Sequence, residues 1–95
     1  MHIITRRRLL EFGRIHPTST TALDHWYRTV KHTDFASFAD IRSTFPSADQ
    51  VGGLIVFNIG GNKARLLAYI DYRKKRVYIR DVLTHRKYDE GKWKD

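Results

Sequence analysis

Apolar residues recur along this chain with two different periods. The first half has helical spacing and the second half has the alternation of strands. Residues 2–5 form a short β-prone segment. Residues 6–15 read as a helix, with Leu9, Leu10, Phe12 and Ile15 expected to be buried. His16-Pro17 ends it, because proline lacks the amide donor. A second helix is expected after Thr18-Ser19-Thr20, where a hydroxyl can cap the first turn. Within it, Leu23, Trp26, Tyr27 and Val30 follow the i, i+3, i+4, i+7 pattern of one buried stripe, so Trp26 and Tyr27 read as core. Lys31 and His32 close it with positive charge that suits a helix C-terminus. Residues 37–41 predict a short third helix with Phe38, Ile41 and Phe45 facing inward, and Pro46 stops it. Residues 47–53 are expected to be a loop.

Three longer strands follow. Residues 54–59 form the first, and Gly60-Gly61-Asn62 supplies a tight turn with left-handed positions. Residues 64–72 form the second, Arg73-Lys74-Lys75 makes the next turn, and residues 76–83 form the third. Connections this short exclude crossovers, so the three strands should form an antiparallel meander. The expected fold class is α+β, with two N-terminal helices and a short helix packed on one face of a small, mainly antiparallel sheet. Ninety-five residues make one domain, residues 1–95, with a modest core.

Charge adds a partner class to this picture. The net charge is +8. Residues 63–95 hold 11 Lys/Arg against 5 Asp/Glu, and residues 1–62 hold 7 against 5. A cationic strand region favours a polyanion such as RNA, DNA or an acidic protein segment. The absence of cysteine excludes disulfides, thiolate metal sites and a cysteine nucleophile. No apolar run approaches the ~18 residues of a membrane span. The opening MHIITRRRLLEF places its basic residues after the apolar piece, the wrong order for a signal peptide. A cytoplasmic protein with no membrane contact is expected.

Alternation sorts the side chains onto faces. In the second strand, Ala64, Leu66, Ala68 and Ile70 suit the core, leaving Arg65, Leu67, Tyr69 and Asp71 opposite. In the third, Arg76, Tyr78, Arg80 and Val82 alternate with Val77, Ile79, Asp81 and Leu83. Val77 and Ile79 suit the core, so an open face is expected to carry Arg65, Tyr69, Tyr78 and Arg80. Cations mixed with aromatic rings suit phosphate contact and base stacking. Lys74, Lys75 and Arg76 add cations at the following turn.

RNA cleavage without a metal makes three demands. The 2′-OH must lose a proton, the phosphorane charge must be stabilised, and the leaving 5′-oxygen must gain a proton. Arg65 and Arg80 fit the second task, since guanidinium binds phosphate bidentately, with Lys63 assisting. His85 is the natural proton carrier. Tyr88, three residues on, is within reach through a turn. Plainer readings stand beside these: exposed strand cations, cross-strand tyrosine packing, and Thr84 and Asp89 as simple caps. His2, His16, His25 and His32 lack metal-ligand spacing, so neither a metal nor another cofactor is expected. Gly60-Gly61-Asn62-Lys63 lacks the length and following helix of a phosphate-binding loop and reads as a hairpin turn.

These segments resemble a known family. Val56-Phe57-Asn58-Ile59, Gly61-Asn62-Lys63-x-Arg65-Leu66, Val77-Tyr78-Ile79-Arg80 and Thr84-His85-x-x-Tyr88-Asp89 are similar to the HigB toxins, of the RelE/ParE-like group in bacterial type II toxin–antitoxin systems. Met1-His2-Ile3-Ile4 and Phe45-Pro46-Ser47-Ala48-Asp49 share the likeness. The resemblance implies a RelE-like α+β fold and an mRNA endonuclease acting in the ribosomal A site. It implies a HigA-type helix-turn-helix antitoxin as partner, with operator DNA bound only through their complex. It carries Asn62, Lys63, Arg65, Arg80, His85 and Tyr88 over as site candidates. Ala64 departs from the pattern, since relatives often carry a larger residue there. Two alternatives remain open at this stage: a ParE-like gyrase inhibitor on the same fold, and a non-catalytic RNA-binding module that stacks bases on Tyr69 and Tyr78.

Overall fold

The computed structural model describes residues 1–94. Strand β1 (His2–Ile4) is followed by helices α1 (Arg7–Ile15), α2 (Thr20–Lys31) and α3 (Phe38–Thr44). Then come β2 (Asp49–Val51), β3 (Leu54–Ile59), β4 (Ala64–Asp71), β5 (Arg76–Thr84) and helix α4 (His85–Glu90). The strands form one mixed sheet in the order β1-β5-β4-β3-β2. The β3-β4-β5 meander is antiparallel as expected, and β1 adds to β5 in parallel. The α+β reading holds.

The core lies between α1–α3 and one face of the sheet. Leu23, Trp26 and Val30 of α2 pack with Ile55, Phe57 and Ile59 of β3, Leu66 and Ala68 of β4, and Val77 and Ile79 of β5. Trp26 meets Phe57 edge-on at 5.4 Å, and Phe57 meets Phe45 at 5.2 Å, the geometry ring quadrupoles favour. Ser37 caps α3 by accepting from the Asp40 amide at 3.2 Å. Asp34 ties the far end of the sheet together. It accepts from the Met1 ammonium at 3.2 Å and pairs with Lys75 at 3.6 Å. The hydrogen bond from the ammonium holds its carboxyl below the usual carboxylate range.

Among the described residues, no hydroxyl caps the first turn of α2, contrary to expectation, because Thr20 Oγ1 donates to the Gly13 carbonyl at 3.4 Å instead. Four further features differ from the sequence expectation. On α1, Leu10 is 61% exposed and Ile15 70% exposed. Only the i, i+3 pair Leu9 and Phe12 turns inward, and at 100° per residue Leu10 and Ile15 fall outside that stripe. Residues 49–51, expected as loop, pair with β3 as an edge strand too short to show alternation. His85–Glu90, expected as a turn, is a helix. The fourth difference is a β-bulge in β5: Ala68 pairs with Ile79 but Leu67 pairs with Asp81, so Arg80 is an extra, unpaired residue. Beyond it the alternation inverts. Val82 turns into the core, while Asp81 and Leu83 pair opposite Leu67 and Arg65.

Candidate active site

The second face of the sheet, away from α1–α3, is floored by Val56 and Leu67, a cross-strand pair that is almost fully buried yet separate from the main core. Helix α4 covers part of this face, in contact with both β4 and β5. What remains open is bordered by the candidate residues.

The β3–β4 turn builds the first part of the site. Gly60 and Gly61 both adopt left-handed φ, 58° and 69°, and reverse the chain in four residues. Arg65 folds back over this turn. Its Nη1 donates to the carbonyls of Gly61 (3.0 Å) and Ala64 (3.1 Å), and its Nη2 donates to Asn62 Oδ1 (3.2 Å). The residue is only 8% exposed. Its guanidinium carbon lies 5.8 Å from the centre of the Tyr88 ring. Asn62, Arg65 and Tyr88 thus form one connected unit.

Helix α4 builds the second part. Thr84 caps it, its Oγ1 accepting from the Lys87 amide at 3.2 Å. His85 therefore opens the helix, and Asp89 lies one turn on, on the same side. His85 Nε2 is 3.4 Å from Asp89 Oδ2. The Nδ1 atom is shielded from solvent and has no hydrogen-bond partner. The carboxylate on Nε2 fixes the ring, and because Nδ1 is shielded, Nε2 is the nitrogen left to exchange a proton.

The chain then reverses at Gly91, φ 75°, a left-handed position that ends helices at low cost. This brings Trp93 back onto Tyr88. The two rings stack 4.9 Å apart at 14°, and the indole Nε1 donates to the Tyr88 carbonyl at 2.8 Å. Tyr69 and Tyr78 lie opposite one another on β4 and β5, ring centres 6.0 Å apart. Both line a groove of about 620 Å³ together with Arg80 and Trp93. Arg80 is exposed and, among the described residues, makes no side-chain hydrogen bond or ion pair.

The sequence candidates are therefore split among four places. Asn62, Arg65, His85 and Tyr88 gather where α4 meets the β3–β4 turn, and Tyr69, Tyr78 and Arg80 share the adjoining groove. Lys63 points elsewhere, its Nζ donating to the Thr18 carbonyl at the α1–α2 connection, at 3.1 Å. Lys74, Lys75 and Arg76 sit at the opposite end of the β4–β5 hairpin from His85, roughly 25 Å away at 3.3 Å per strand residue. Those three cations cannot share a phosphate with His85. Sequence reading missed two residues. Asp89 has a plainer reading as a cap, and its i, i+4 spacing to His85 becomes informative only once residues 85–90 are helical. Trp93 gave one signal, a lone aromatic residue in a polar tail.

A family model described as HigB_toxin, the RelE-like toxic component of a toxin–antitoxin system, matches residues 19–91. The chain belongs to this HigB toxin family. It is 34% identical over 93 residues to the mRNA interferase HigB of Escherichia coli O6:H1, covering 95% of this chain and 90% of that relative. It is also 34% identical over 92 residues to the mRNA interferase toxin HigB of Escherichia coli K12, covering 94% and 88%. The mRNA interferase HigB of Shigella flexneri matches to the same extent, 34% over 92 residues. The span matched by the HigB family model includes Asn62, Arg65, Arg80, His85 and Tyr88 and stops short of Trp93.

Proposed function

We propose that this chain is the mRNA-cleaving toxin of its system, an endoribonuclease that cuts mRNA on the ribosome and so stops translation. One observation carries the reading. The His85–Asp89 pair and the Arg65–Tyr88 unit converge at one end of a face that also presents Arg80 and two tyrosines. The curated relatives, each named an mRNA interferase, support it.

The chemistry follows from these groups. The 2′-oxygen attacks the adjacent phosphorus as the bond to the 5′-oxygen breaks, giving a 2′,3′-cyclic phosphate and a 5′-hydroxyl. Arg80, exposed and without a protein partner, binds the phosphate and stabilises charge on the phosphorane. Arg65 commits three donors to the turn, so its role is to hold Tyr88 and to add positive potential. His85, oriented by Asp89, moves a proton, and Tyr88 supplies the second proton-bearing group. Protein side chains meet all three demands, so no metal enters the scheme. Asn62, Tyr69 and Tyr78 contact RNA beside the cut. Lys63 and the cations at Lys74, Lys75 and Arg76 serve the longer RNA track, including ribosomal RNA. The partner is a HigA-type helix-turn-helix antitoxin, operator DNA is bound only through that complex, and the site of action is the cytoplasm.

The test is primer extension on mRNA bound to programmed ribosomes. The wild-type chain should cut within the reading frame. His85→Ala and Tyr88→Phe should each cut roughly 10²- to 10⁴-fold more slowly, the usual worth of a general acid or base, with circular dichroism unchanged. Equal cutting by wild type and both variants would overturn the assignment.

A further inference from the structure

The groove beside the catalytic cluster carries a further assignment, which rests on the ribonuclease reading. We propose that it is a nucleobase subsite, that Trp93 forms its wall, and that it takes one unpaired base flanking the scissile phosphate.

Four observations point the same way. The first is shape: about 620 Å³ lies within the roughly 300–1,000 Å³ of small-ligand clefts, ample for a base and its ribose. The second is the lining. Tyr69 is half exposed at 51% and Tyr78 is half-buried beside it. With Trp93 they put three aromatic rings around one opening. Aromatic rings accept any base because every base has a π-face.

The third observation is charge. Among the described residues, Arg80 and Lys94 are the charged side chains of the lining, and no carboxylate joins them. A neutral aromatic slot with cations at its rim fits a base whose phosphates lie outside. The fourth is backbone. The β2–β3 turn at Gly52-Gly53 forms the remaining wall, and a Cβ built at either glycine meets nothing within 4 Å. A flat ring can approach this bare backbone without displacing a side chain.

Trp93 also couples the subsite to the cluster. One face of the indole is stacked on Tyr88, and its Nε1 holds the Tyr88 carbonyl. Tyr88 in turn faces Arg65. A base seated against Trp93 is therefore placed beside the proton-bearing groups. Trp93 acts as a base-binding and positioning residue whose contribution lies outside the span shared with the HigB family model.

The chain tests this directly, because its other tryptophan, Trp26, is 1% exposed and buried in the core. Fluorescence quenching by added RNA therefore reports on Trp93 against a constant background. A short oligoadenylate should quench the wild-type chain saturably, and an RNA duplex of equal length should quench it far less. In anisotropy titrations with labelled oligoadenylate, Trp93→Ala should bind about 5- to 150-fold more weakly, the worth of one base–aromatic stack. Trp93→Phe should restore most of that affinity. On programmed ribosomes, Trp93→Ala should raise the apparent KM and blur the choice of cut site. Unchanged affinity in Trp93→Ala, or equal quenching by duplex and single strand, would overturn the subsite. If the wild-type chain binds and quenches but cuts no ribosome-bound mRNA, the ribonuclease reading falls, and with it the placing of the base beside a scissile phosphate, while base binding by the groove is retained.

Discussion

Arg65 and Arg80 carry the same charge in opposite surroundings. Arg65 is buried over a glycine turn with three donors committed, whereas Arg80 is exposed at a bulge without a protein partner. Arg80→Ala should leave stability within about 0.5 kcal/mol of wild type, as for a surface change, while lowering cleavage roughly 10²- to 10³-fold. Arg65→Ala should lose about 2 kcal/mol, the scale of hydrogen bonds to a charged donor, and lower cleavage as a consequence. Urea unfolding beside a cleavage assay separates the two. Alternation in the sequence put both arginines on one face but could not tell them apart. Burial of Arg65 depends on the turn carbonyls, which no side-chain pattern encodes. Tyr72 offers a second residue-scale check. Its hydroxyl is buried without a partner, and burial raises its pKa above 10.0. The folded state therefore favours the protonated phenol. Stability from this group is complete below pH 10 and is lost as pH rises through the raised value. Tyr72→Phe should gain about 1 kcal/mol at pH 7 by removing the orphan hydroxyl, and should flatten the alkaline loss in urea unfolding at pH 10–11.

Elements with a long, clean period were legible. The α2 stripe of Leu23, Trp26 and Val30 and the β4 alternation of Ala64, Leu66, Ala68 and Ile70 are buried as their spacing predicts. The elements that complete the site were not. A bulge adds one residue without changing local composition, so strict alternation continued through Arg80 and placed Val82 on the wrong face. Helix α4 has six residues, under two turns, and so shows no helical period. Its formation rests on the Thr84 cap and the left-handed Gly91. Thr84→Ala should cost about 1 kcal/mol, and Gly91→Ala a similar amount, because each loosens one end of the helix that carries His85 and Tyr88. Thermal unfolding measures the cost, and cleavage by both variants should fall by more than the stability loss alone explains. Cleavage unchanged in both would mean that α4 does not need to be ordered for the reaction.

At the scale of the whole molecule, the helical side and the far side of the sheet divide the work. The helices α1–α3 bury the core, and the opposite face keeps an apolar floor at Val56 and Leu67 while presenting cations and rings above it. The net charge of +8 gives that face long-range attraction for RNA. The affinity for single-stranded RNA should fall linearly with log salt, with a slope near −0.7 per phosphate neutralised. Arg80→Ala should reduce that slope by about one such unit. These groups are expected to cut mRNA by attack of its own 2′-oxygen. The most direct test is the chemistry of the new ends on ribosome-bound mRNA exposed to the wild-type chain and to His85→Ala. The wild-type reaction should leave a 2′,3′-cyclic phosphate and a 5′-hydroxyl, and His85→Ala should leave the mRNA essentially intact over the same time. Intact mRNA with the wild-type chain, or ends bearing a 5′-phosphate, would rule out attack by the 2′-oxygen at this site.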